Sequence, residues 1–224
     1  MRKLENRGAA LVTVIVVISF VSILATVGLY LSGMNFTMKA TDIKTKDSFY
    51  EAETAMEEVK AYMVLQASDA FADAYSAVMA KYGAYTDGAS RAVAFKDFFF
   101  SALQSNWDAK LPGADKQADC VTLLNSVVAD PYKGCLTLEP GSTGKIDLSQ
   151  KANGYALLQG VTLTYTKDDF TTVITTDFMI EIPDVNWEAD KSNKSWVAGD
   201  GSDKLKNVSI DLAGNVTYSN WTKK

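Results

Sequence analysis

Residues able to do chemistry are sparse in this 224-residue chain, and that sparseness is the first constraint on its function. It has no histidine, which removes the commonest general base, the usual transition-metal ligand and every histidine-based triad. Two cysteines remain, Cys120 and Cys135. Their spacing is not that of a C-x-x-C motif and no partner ligands accompany them, which argues against a redox pair or a zinc half-site. A structural disulfide is the expectation, because both fall in the segment assigned below to an oxidising or thiol-poor space. Its loop of about 15 residues would contribute on the order of 3 kcal/mol in the chain-entropy picture. Asp168-Asp169 offers two adjacent carboxylates, but neighbours in a turn point apart and are normally solvated. Asp200-Gly201-Ser202-Asp203 has some calcium-loop residues without the ligand spacing of such a loop. The expectation is therefore a protein that is not an enzyme, with no cofactor and no metal.

The chemistry that remains is that of an apolar surface. Met1 to Gly8 (MRKLENRG) is short, polar and net positive, and Ala9 to Leu31 follows without a charge. At 1.5 Å per residue those 23 positions span roughly 35 Å, enough for a bilayer core of about 30 Å with some tilt. Thr13, Ser19, Ser22 and Thr26 can satisfy their hydroxyls on carbonyls four residues back. Basic residues before the span put the N-terminus in the cytoplasm and the remainder outside, a single-pass arrangement with membrane lipid as its first partner. The span is too long for an ordinary secretory signal, and nothing like Ala-x-Ala follows it. An uncleaved signal anchor accounts for the hydropathy and stays open.

The junction Arg7-Gly8-Ala9-Ala10-Leu11-Val12 resembles that of type IV prepilins and pseudopilins, whose basic leader ends in glycine directly before the apolar helix. The likeness is to PilX-type minor pilins and K-type pseudopilins. It implies a prepilin peptidase cutting between Gly8 and Ala9 and methylation of the new N-terminus. It also implies partner pilins or minor pilins engaged through the apolar helix. Ser48 to Glu57 resembles the segment these proteins carry just after the membrane helix: Phe49-Tyr50, Ala52-Glu53 and Glu57 match, while Thr54 and Ala55 replace the favoured Ala and Gly. Major pilins carry glutamate at mature position five; counted from Ala9, that position is Thr13. The resemblance covers about the first 60 residues.

From Met34 to about Gln66 the chain continues as helix, dense in helix formers, with no Pro or Gly between Gly33 and Gly83. Tyr50, Ala52, Ala55, Met56, Val59 and Met63 recur at helical spacing and predict a buried face. Asp69 is a candidate cap for a helix through Ala80, and Ser90 for one from Arg91 to Leu103, with Phe95, Phe98, Phe99 and Leu103 inward. The triplet Phe98-Phe99-Phe100 must pack in two directions or expose a patch. Pro112-Gly113 marks a break, and Asp130-Pro131-Tyr132-Lys133-Gly134 a turn. The period then changes from 3.6 to 2. Tyr155–Tyr165 and Thr171–Ile182 read as a hairpin around Thr166–Phe170, and Val208–Leu212 with Val216–Trp221 as a second around Ala213-Gly214-Asn215.

The predicted class is α+β: a long N-terminal transmembrane helix running into a helical region, then a C-terminal antiparallel β-sheet head, as the pilin resemblance also implies. The expected divisions are a leader at 1–8, a membrane or filament-core helix at 9–31, an extracytoplasmic helical region at 32–111 and a disulfide-containing, mainly β head at 112–224. The formal net charge of −5 becomes −7 if the leader, with its three basic residues and one acidic residue, is removed. No nucleic-acid partner is expected at that charge. The expected function is that of a minor pilin or pseudopilin, at the cell membrane and then in a surface filament, possible places including its tip. The alternative is an uncleaved, membrane-anchored extracellular binding domain.

Overall fold

The computed structural model describes residues 2–185, 187 and 212–223, with side chains from residue 10 onward. The chain divides into two compact units, Met1–Asp47 and Ser48–Lys224. Helix α1, Arg2–Ala80, supplies all the described structure of the first and begins the second. It is unbroken at Asp69, where a new cap was expected. Met63, Ala67, Ala70, Phe71, Ala74 and Val78 keep one buried stripe in phase across that point, and burial of such a stripe outweighs a local capping preference. The helix ends before the 3-10 turn Tyr82–Ala84.

Two further helices pack in the second unit. α2, Gly88–Ala109, starts three residues before the expected position because Asp87, not Ser90, is its cap. The Asp87 carboxylate accepts from the Ser90 amide at 2.7 Å, and the Ser90 hydroxyl returns to the Asp87 amide at 3.3 Å, a reciprocal box that satisfies two otherwise orphan donors. α3, Lys116–Val127, is capped by Asp115, which accepts from the amides of Gln117 and Ala118. This helix lies within the region 112–224, ahead of the four described strands, and places Val121 and Leu124 of the apolar segment between the cysteines on a helical face. The phenylalanine triplet packs in two directions. Phe99 and Phe100 are buried, and half-buried Phe98 lies under the Lys81 ammonium. Trp187 closes the aromatic cluster, 5.6 Å from Tyr75 and 5.3 Å from Phe95 between ring centres.

The sheet is antiparallel in the order β1–β2–β3–β4, with strands Leu136–Leu138, Tyr155–Lys167, Phe170–Glu181 and Val216–Lys223. β1 is a strand that the sequence pattern did not suggest. The β2–β3 connection is tighter than expected: Asp168 and Asp169 alone form it, both at positive φ (49° and 68°), as a two-residue turn with right-handed strand twist requires. Of the second expected hairpin, Val216–Trp221 lies in β4, paired with β3; residues 208–211 lie outside the described residues.

Two irregularities set the register. β2 slips between Leu158 and Val161, and the β3–β4 pairing slips between Thr175 and Asp177. Asp177 holds both: one carboxylate oxygen accepts from the Gly160 amide at 2.7 Å and the other from Asn220 Nδ2 at 2.6 Å. Gly160 has φ +70°, and a Cβ there would fall on the Ser142 hydroxyl, so only glycine fits. Inner-face residues Ala156, Leu158, Val161, Leu163, Ile174, Phe178 and Ile180 are buried in one core with the α1 stripe. The outer face carries Thr137, Thr162, Thr175 and Thr222 in one transverse row, β-branched residues suited to a half-solvated pleat.

Asp177→Ala removes two charge-assisted hydrogen bonds at the point where both slips meet. It is expected to cost the second unit about 2 kcal/mol, with Asp177→Asn costing less. Denaturant unfolding of the full chain in detergent, followed by tryptophan fluorescence, measures it.

Candidate functional site

The apolar segment of α1 comes first. Gly8 and Ala9 lie within the helix. From Leu11 to Leu31 every large apolar side chain is about half exposed or more, from 49% at Val27 to 75% at Leu29. Among the described residues none of the most apolar 18-residue window is buried. This is one helix long and apolar enough to cross a membrane. Its hydroxyls are turned back on the helix, Ser22 to the Ile18 carbonyl and Thr26 to that of Ser22, both at 2.8 Å. Polar atoms are thereby withdrawn from a surface that is otherwise hydrocarbon. Thr13 sits exposed on this segment and offers a neutral hydroxyl where a carboxylate would carry charge.

The segment from Phe49 to Glu57 lies at the start of the second unit, and its side chains divide by helix face. Ala52 is fully buried and Phe49 half-buried, with the Lys223 ammonium 3.5 Å from the centre of its ring. Tyr50 is 59% exposed. Glu53 is half-buried; Glu57 is exposed, with Lys60 at 3.9 Å. Burial, with Glu57 and Glu53 nearby, pushes the Tyr218 phenol above the ordinary tyrosine value. The matching residues thus include part of the seam between α1 and the sheet as well as exposed positions.

The strongest polar centre is a residue that the sequence did not single out. Glu51 accepts from the Tyr132 hydroxyl and from Lys167 Nζ, the latter at 3.2 Å. Tyr132, Lys167 and their hydrogen bonds hold the Glu51 carboxyl below its ordinary value of 4.5, while burial and Glu51 push the Tyr132 phenol up. A carboxylate with a depressed folded value stabilises fully above its unfolded value, and that contribution is lost as pH falls through the folded value. The only sequence signal was a glutamate beside the matching Ala52-Glu53. Its partners stand 81 and 116 positions away, beyond the reach of any local pattern.

No protein-family model, curated protein or solved structure matches this chain.

The cysteine expectation is corrected. Both thiols are free, Cys120 buried and Cys135 half-buried. Cys120 lies on the inner face of α3. Asn125, five residues on, bonds the Leu136 carbonyl and accepts from the amides of Gly134 and Leu136. Segment 134–136 thus meets α3 at Asn125, and Leu136 beside Cys135 is buried. Asp168 and Asp169 are the two turn residues already described. Residues 200–203 lie outside the described residues. Among the described residues no group of three Cys, Asp or Glu side chains is placed to hold a metal ion.

Burial pushes the Cys120 thiol up to about 12, so it stays protonated and shielded. Native protein treated with a thiol reagent at pH 8 is expected to label at Cys135 and to gain the Cys120 label only after unfolding. Intact mass before and after denaturation reads the two steps, and an unlabelled, two-hydrogen-lighter protein would restore the disulfide.

Proposed function

We propose that the chain is a minor type IV pilin or pseudopilin: a subunit held in the membrane by α1 and then drawn into a surface filament or secretion pseudopilus through that helix. The observation that carries this reading is the division of labour along α1. Its first part has apolar side chains exposed among the described residues, while Ala52 to Val78 form a buried stripe beneath an antiparallel sheet and two helices. In this reading one helix serves as anchor and as spine of a folded head. The glycine junction at Gly8-Ala9 and the segment Phe49, Tyr50, Ala52, Glu53, Glu57 add the pilin character. In this reading the head stands outside the cytoplasm, a prepilin peptidase removes residues 1–8, and other pilins replace lipid around the helix.

Processing is the direct test. Protein from membranes containing a prepilin peptidase is expected to begin at Ala9, N-methylated, by N-terminal sequencing. Gly8→Val is expected to abolish the cut, because a β-branched side chain crowds the scissile bond. An intact Met1 in the same membranes would point instead to an uncleaved anchor carrying an extracellular binding domain.

Stoichiometry tests the place in the filament. In the resembling family a glutamate at mature position five neutralises the N-terminal ammonium of a neighbour within a low-dielectric helix bundle. Thr13 supplies a neutral hydroxyl, and an unbalanced buried charge costs several kcal/mol. This subunit is therefore expected to be scarce relative to a glutamate-bearing major subunit in sheared filaments measured by quantitative mass spectrometry. Thr13→Glu should raise its share; a wild-type ratio near one-to-one would refute the charge argument.

A further inference from the structure

Polar ties between α1 and the rest of the second unit gather in its first turns. The Ser48 hydroxyl is 3.2 Å from the Phe170 carbonyl and 3.0 Å from the Thr172 hydroxyl. Glu51 joins Tyr132 and Lys167. Glu58 accepts from the Ala129 amide at 2.8 Å. These ties reach two segments, the loop 129–135 and the turn of the β2–β3 hairpin, and Glu51 is the side chain that bonds both. Further along, apart from an exposed bond from Asn106 Nδ2 to Asp73 at 2.9 Å, the packing is of another kind: Met63, Phe95, Phe99, Leu103 and Trp107 are all essentially unexposed, while Gln66 is buried with no hydrogen-bond partner among the described residues.

Local opening follows where apolar contact is thin and polar ties dominate. At this corner the α1 stripe offers small Ala52 and Ala55, and the loop and hairpin meet through the Tyr132 and Tyr165 rings, 5.4 Å apart between centres. The Glu51 and Lys167 side chains are each 37% exposed, so solvent reaches the link. We propose that Glu51 is a latch: its release opens the 129–135 loop and the β2–β3 turn together as one cooperative piece and uncovers Ser48 and Ala52, while the aromatic core and the central strands stay closed. The charges around the latch are Lys167 on β2, Asp168 and Asp169 in the turn, the paired Asp130 and Lys133 on the loop, Glu58 on α1 and Lys223 on β4. Among the described residues, Lys167 is the cation bonded directly to Glu51. The inference stands on the second unit alone and does not depend on cleavage at Gly8 or on filament entry.

Hydrogen exchange on the full chain in detergent micelles tests it. Glu51→Gln keeps size and hydrogen bonding but removes the charge, and should speed amide exchange in 129–135 and 166–172 by about tenfold or more. Exchange in 95–107 and 174–180 should be unchanged. Lys167→Met should produce the same paired pattern from the other side. Lys133→Met, which removes a surface ion pair with Asp130, should leave 166–172 as in the wild type. Unchanged exchange in both segments of Glu51→Gln would overturn the latch. So would acceleration of the turn without the loop in Lys167→Met, or an equal rise across the whole unit in either variant.

Discussion

Everything in the second unit is arranged around one stripe of mostly small side chains on α1. Ala52, Ala55, Met56, Val59, Met63, Ala67, Ala70, Ala74 and Val78 are at most 1% exposed. Five of these nine are alanines, which leaves the bulk of the core to their partners. Phe95, Phe99, Phe100, Trp107 and Phe178 supply that bulk. Small residues on the spine opposed by aromatics on the wrapping elements fill space at native density without forcing rotamers. A β-branched or aromatic residue at Ala52 or Ala67 would have to displace backbone as well as side chains.

Polar groups set the geometry that this apolar packing leaves open. Trp107 brings one donor into the core, and its indole N–H reaches the Gly144 carbonyl at 2.9 Å. That carbonyl is available because Gly144 adopts φ +70°, where a Cβ would come within 2.5 Å of the Lys116 carbonyl oxygen. One glycine thus lets a loop, α2 and the first turn of α3 meet. Asp177 does the same for the sheet, and Glu51 for the corner where α1 enters it. Each is a polar group joining segments distant in sequence, and each fixes register or orientation where hydrophobic contact alone would tolerate several.

What the sequence made legible follows from the range of the physical signal. The apolar run, the helical stripe from Tyr50 to Met63 and the alternation in β2 and β3 are local patterns, and the structure has a helix or a strand at each. Helix ends were less legible. Asp69 has the chemistry of a cap, but the stripe stayed in phase through it, and Asp87 outcompeted Ser90 because it gains a reciprocal bond from that same residue. α3 was missed because the two cysteines suggested a bridged loop, although Asp115 three residues past Pro112-Gly113 is an ordinary helix start. β1 has three residues and exists through its pairing with β2, so no periodicity could announce it. Glu51 was invisible for the reason already seen in its partners: its role is defined by distant residues.

The exposed apolar part of α1 carries a large free-energy term of its own. Burying one Val, Leu, Ile or Phe side chain is worth about 1.5–3 kcal/mol, and fourteen large apolar residues between Leu11 and Leu31 stand half exposed or more, with Val27 just short of half. Even discounted for what a lone helix hides by itself, their exposure to water would cost more than the roughly 5–15 kcal/mol that holds an ordinary domain folded. Among the described residues none of this window is buried. Under the proposed function the cover is lipid first and other apolar helices afterwards. A pilin-type subunit uses the two in succession, and because lipid tails and packed helices are equally apolar, transfer between them carries little hydrophobic cost. Under the proposed function what then decides the transfer is charge: the N-terminal ammonium that cleavage after Gly8 would create, and the threonine rather than glutamate at position 13.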